Sequence, residues 1–125
     1  MMTFLPQDLI NELIAIGAHE DISKIRAIPR KYPGARSGQF MRERPKFWND
    51  IAAQLTDDDL VSLIKALTLA ERELINYKSG SVSPVIYLFR TLQARKQPAE
   101  LHSLEDWIIS NTDNPYLPWG SCRIC

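Results

Sequence analysis

Four of the eight prolines, Pro6, Pro45, Pro84 and Pro98, stand at the head of runs whose apolar residues recur at helical spacing. Proline suits the first position of an α-helix, where its missing N–H has no partner to lose and its φ is already helical. This punctuation marks four helix starts and leaves little sequence for strands. After Pro6, Leu9, Ile10, Leu13 and Ile14 make one stripe, with Gly17 placed to end it. A second run has Glu20 and Asp21 in its first turn, Ile22, Ile25 and Ile28 three apart, and Lys24 and Arg26 towards its end, so its charges match the helix dipole until Pro29 stops it. After Pro45, Phe47, Trp48, Ile51, Ala52 and Leu55 share a face.

Thr56 is an N-cap, with Asp59 three residues on and Asp57 and Asp58 in the first turn. The helix it opens should be the longest, its stripe running Leu60, Leu63, Ile64, Leu67, Ala70, Leu74 and Ile75 down to Ser79-Gly80-Ser81. Ser83-Pro84 then caps a run, Val85 to Phe89, that is apolar on every side and belongs at the centre of a core. A strand is the alternative for so short a run, but no second strand is available to pair with it. Pro98 opens a final helix bearing Leu101, Leu104, Trp107 and Ile108.

The fold class that follows is all-α: a compact single-domain bundle of five to six short helices, with a long basic loop and an extended proline- and aromatic-rich C-terminal tail. Residues 1–111 form the helical domain. Residues 112–125 pack on it as a tail, with Pro115, Tyr116, Pro118 and Trp119 folding back over one end. At 125 residues, 45% hydrophobic and 24% charged, the chain can build one core unaided. No apolar stretch approaches the ~18 residues of a membrane span, and the first residues lack a basic and an apolar leader region, so a cytoplasmic protein is expected.

A net charge of zero hides a polarised chain. From Lys24 to Lys46 there are eight bases against one acid, Glu43, while the remainder holds seven bases and fourteen acids. Within this segment, residues 30–44 break the helical pattern at Pro33, Gly34 and Gly38 and form the longest candidate loop, a length common for binding loops. Its bases interleave with Tyr32, Phe40, Phe47 and Trp48, the pairing that single-stranded nucleic acid requires, although Phe47 and Trp48 also fit the core stripe of their own helix.

Other constellations fall short of chemistry. Ser79 to Pro84 lacks the spacing of a phosphate-binding loop. Leu67 to Phe89 has a helix-turn-helix outline, but its second helix opens with no polar side chain to reach a base edge before Arg90. Cys122 and Cys125 have knuckle spacing, but only His19 and His102 are available to complete a four-ligand zinc site, and Arg123 spoils a prenylation box. Asp57, Asp58 and Asp59 point about 100° apart on a helix, and Glu71 and Glu73 fail as a carboxylate pair for the same reason.

No catalytic residue, metal site or cofactor is therefore assigned, and an enzyme is not expected. The expectation is a protein-interaction module, a small adaptor, regulator or immunity-type inhibitor, that binds an acidic protein partner through residues 30–46. Its contact residues are Arg30, Lys31, Tyr32, Arg36, Arg42, Arg44 and Lys46. The alternative is a nucleic-acid-binding protein using the same segment.

Overall fold

The structure, a computed structural model, describes residues 7–124, and among these it contains six α-helices linked by short 3₁₀ turns and no strand. The helices are α1 (Gln7–His19), α2 (Ile22–Lys31), α3 (Pro45–Ala53), α4 (Asp57–Glu73), α5 (Pro84–Arg95) and α6 (Pro98–Asn111). Pro6, read as the opening of α1, and Cys125 lie outside the described residues.

α4 is the axis of the molecule and packs against α1, α2, α5 and α6. It starts as its sequence dictates: the Thr56 hydroxyl accepts the Asp59 N–H at 3.2 Å, and three aspartates meet the positive end of the dipole. Leu60, Leu63, Ile64 and Leu67 are then wholly buried, each side chain contributing on the order of 1.5–3 kcal/mol of transfer free energy. α5 opens on the Ser83 hydroxyl, which accepts the Val85 N–H, and buries Val85, Ile86, Leu88, Phe89 and Leu92 against α3 and α4, so the apolar run is a core helix although α4, not α5, is the central one. No helix among the described residues is long and apolar enough to cross a membrane.

Several boundaries differ from the sequence expectation, each for a local reason. Gly17 lies inside α1 instead of ending it: a Cβ there would sit 1.7 Å from the Ser62 carbonyl oxygen, so this glycine lets the backbones of α1 and α4 touch. The left-handed residue that ends α1 is Glu20, at φ 51°. α2 runs through Pro29 to Lys31, because a proline in the last turn forfeits a single helical hydrogen bond while Ile28 stays buried and its carbonyl accepts the Tyr32 N–H. α4 stops at Glu73. Leu74 then turns extended, which breaks the helical period and throws Ile75 outward to 81% exposure instead of onto the core stripe.

Residues 30–44 are likewise more ordered than a loop. They hold the end of α2 and two 3₁₀ turns, Pro33–Ala35 and Gln39–Arg42. Beyond α6 the chain folds back with Asn114, Leu117 and Pro118 buried. Trp119 stays 38% exposed, its indole N–H donating to Glu105 at 2.9 Å.

Candidate functional site

The basic segment begins on α2, and the helix divides its cations between two sides. Lys24 and Lys31 face α1 and, with Tyr32, line a groove of about 830 Å³ whose other wall carries Asp8 and Glu12. Glu12 closes this groove from within. It accepts from the Lys31 ammonium at 2.6 Å and from the Tyr32 hydroxyl at 3.3 Å. The Glu12 hydrogen bond holds Lys31 above the usual lysine range, and burial, then the Glu12 charge, raises the Tyr32 phenol.

Arg26 and Arg30, one turn apart, share the other side of α2. Arg26 pairs with Glu73 at the end of α4 at 2.7 Å, and Arg72 joins the same carboxylate at 2.9 Å. Hydrogen bonds from these two guanidinium groups lower the Glu73 carboxyl below the ordinary value, so Glu73 stays ionised and neutralised in place.

Residues 33–44 are fastened to the segment that follows α4. The Arg42 guanidinium donates to the carbonyls of Asn76 (3.0 Å), Lys78 (3.2 Å) and Ser37 (3.3 Å), tying two loops with one side chain. Gly38, at φ 71°, lies against the Asn76 carbonyl, where a Cβ would come within 2.2 Å. Beneath them the Tyr77 hydroxyl donates to the Ala35 carbonyl at 2.8 Å, and burial pushes its pKa to about 12. Phe40 stacks edge-on to Tyr77 and tilts against Trp48, whose indole N–H donates to the Phe40 carbonyl at 3.1 Å. The loop therefore stands on a buried aromatic base.

The sequence candidates are thus sorted into two groups. Lys31 and Tyr32 belong to the α1–α2 groove, Arg42 is a clamp, and Lys46 pairs with Asp50 one turn along α3. Arg30, Arg36 and Arg44, together with Lys24, are exposed and make no side-chain hydrogen bond or ion pair among the described residues. Of the rings read as stacking partners, Phe40 and Trp48 are buried and Tyr32 and Phe47 half-buried.

Sequence reasoning passed over one polar centre. Glu71 is 1% exposed, and its carboxylate gathers three donors from distant segments: the Ser79 N–H (3.0 Å), the Ser83 hydroxyl (2.7 Å) and the Asn114 side-chain amide (2.7 Å). Burial raises its pKa, an effect those donors only partly offset. A cleft of about 270 Å³ beside it is lined by Lys78, Gly80, Asp113, Asn114, Pro115 and Tyr116, with Lys78 and Asp113 paired at 2.5 Å across it. The signal was present in the sequence, since Glu71 lies four residues after Leu67 and three before Leu74, on the apolar stripe of α4. Every donor to its carboxylate is satisfied within the fold, which makes Glu71 the knot between α4, the turn before α5 and the tail.

Comparison of the chain with protein-family models, with curated proteins and with solved structures returns no match.

Proposed function

We propose that the protein is a non-enzymatic interaction module that binds an acidic protein partner, using the arginines of the last turn of α2 and of the segment between α2 and α3 that have no acidic partner among the described residues. One observation carries this reading. Among the described residues Arg30, in the last turn of α2, and Arg36 and Arg44, on the segment that follows it, have no acidic partner, and the backbone of that segment is held by the Arg42 clamp, the Tyr77 hydroxyl and the buried Phe40. Cations held on fixed backbone lose less entropy on binding than cations on a free loop, and arginine is a favoured residue at interface hot spots. Phe40 and Trp48 serve the core, so the cations have few open rings beside them on which nucleobases could stack. This favours a protein partner over nucleic acid.

The test is selection from a random-peptide display library on the intact protein, alongside anisotropy titrations of mixed-sequence single- and double-stranded oligonucleotides at low and physiological salt. The expected result is enrichment of acidic peptides whose binding falls in an Arg30→Gln/Arg36→Gln/Arg44→Gln variant. Peptides with no acidic bias overturn the reading. So do oligonucleotides that bind at physiological salt with a slope of several charges in log salt, which would assign the segment to nucleic acid instead.

A further inference from the structure

A lone exposed aliphatic side chain is ordinary on a protein surface; what sets Ile75 apart is how it is held and what surrounds it. On its N-terminal side Glu73 is fixed by Arg26 and Arg72, and Leu74 packs on the core. On its C-terminal side the Asn76 carbonyl accepts from Arg42, the Asn76 side-chain amide donates to the Arg36 carbonyl at 3.4 Å, and Tyr77 is buried. Ile75 therefore cannot fold down onto the core without breaking the contacts that fasten the basic loop. It stands at 81% exposure on a single 3₁₀ turn, Ile75–Tyr77, between Glu73, which holds Arg26, and Asn76, which is tied to Arg42 and to the backbone of Arg36, and Arg30 lies one turn beyond Arg26 along α2.

We propose that Ile75 is the apolar anchor of this surface, and that the segment docking there presents one apolar side chain flanked by carboxylates, the apolar group seating on Ile75 and the carboxylates on Arg30 and Arg36. Charge complementarity decides the occupant. Glu73, two residues before the anchor, is already neutralised by two arginines, while Arg30 and Arg36, without acidic partners among the described residues, are left to attract the carboxylates of an incoming chain. Electrostatics alone would register such a segment loosely, because charge attraction acts over several ångströms. An aliphatic contact of a few ångströms between the charges fixes the register, and covering most of an isoleucine side chain strengthens binding on the order of tenfold or more.

This inference rests on the acidic-partner reading, and the two can fail separately. Acidic peptides recovered by display are titrated, by calorimetry, against the intact protein and its Ile75→Ser, Ile75→Leu and Arg36→Gln variants at two salt concentrations. Circular dichroism melts confirm that each variant folds, as the exposure of both sites leads one to expect. Ile75→Ser is expected to weaken binding about tenfold with an unchanged salt slope, Ile75→Leu to restore most of it, and Arg36→Gln to weaken binding and flatten the slope. If Ile75→Ser binds as the wild type does while Arg36→Gln is impaired, the anchor is refuted and the acidic-partner reading stands. If neither substitution matters, or no acidic peptide is recovered, both are refuted.

Discussion

Replacing Glu71 tests the polar centre of the molecule. In Glu71→Ala, the Ser79 N–H, the Ser83 hydroxyl and one Asn114 N–H lose their acceptor inside the fold. An orphaned buried donor costs about 1–3 kcal/mol, so three of them set a gross loss of roughly 3–9 kcal/mol. Removing a desolvated carboxylate returns part of this, and water entering from the neighbouring cleft can satisfy a donor, which brings the expected net loss to about 3–5 kcal/mol. That is a large share of the ~5–15 kcal/mol typical of a whole domain. Glu71→Gln keeps one oxygen where the Ser79 and Asn114 donors converge and turns an N–H toward Ser83, whose oxygen can accept it, so it should cost only about 1 kcal/mol.

The pH dependence separates burial from hydrogen bonding at this site. With its native pKa raised above the ordinary 4.5, Glu71 holds its proton to higher pH in the folded protein than in the unfolded chain. Its contribution is then complete below about pH 4.5 and declines as pH rises through the raised native value. The other charged groups facing it, Asp113 and Lys78, are paired with each other and are common to both proteins. Urea unfolding followed by tryptophan fluorescence, with wild type and Glu71→Gln compared from pH 4 to 8, should show the wild-type advantage shrinking as pH rises, with m unchanged. A wild-type advantage that instead grows with pH would refute the reasoning, because the three donors would then outweigh desolvation and the carboxylate would be the preferred form.

The other predictions are local. Gly17→Ala forces α1 away from the Ser62 carbonyl and should cost about 3 kcal/mol or more, seen as a fall of many degrees in Tm; a small effect would mean that α1 and α4 do not approach as described. Arg36→Gln with Arg44→Gln should leave stability within about 0.5 kcal/mol of wild type, whereas Arg42→Gln, which releases three carbonyls, should cost about 1–2 kcal/mol and speed amide exchange at Asn76 and Lys78. Tyr77→Phe loses the bond to Ala35 and should cost about 1 kcal/mol. In wild type, the Tyr77 phenol should resist ionisation in an alkaline absorbance titration until about pH 12.

Caps and stripes were legible because their causes are local. Thr56 with Asp59, and Ser83 with Val85, are bonds between residues two or three apart, and proline at N1 acts on its own backbone. The role of Gly17 was hidden, since a glycine near the end of a helical run reads as a stop, whereas here the deciding atom is a carbonyl on another helix. Ile75 was misplaced for a related reason: the periodicity that puts it on the stripe holds only while the helix continues, and α4 ends two residues earlier. Within the basic segment, composition does not distinguish Arg42, spent on carbonyls of residues far along the chain, from Arg36, which is left free. That division depends on where residues 74–78 run, so the segment was readable as a candidate site while the split between its paired and unpaired cations was not.

The Arg42 clamp also bears on what part of this molecule could be moved. The face that carries Arg36 is shaped by two stretches of chain, residues 33–44 and 73–78, and the second is the run-out of the helix at the centre of the core. Grafted alone onto another scaffold, residues 33–44 would bring their charges but leave behind the carbonyls that Arg42 grips and the ring on which Phe40 rests. The smallest transferable unit is the pair of loops together with the last turn of α4.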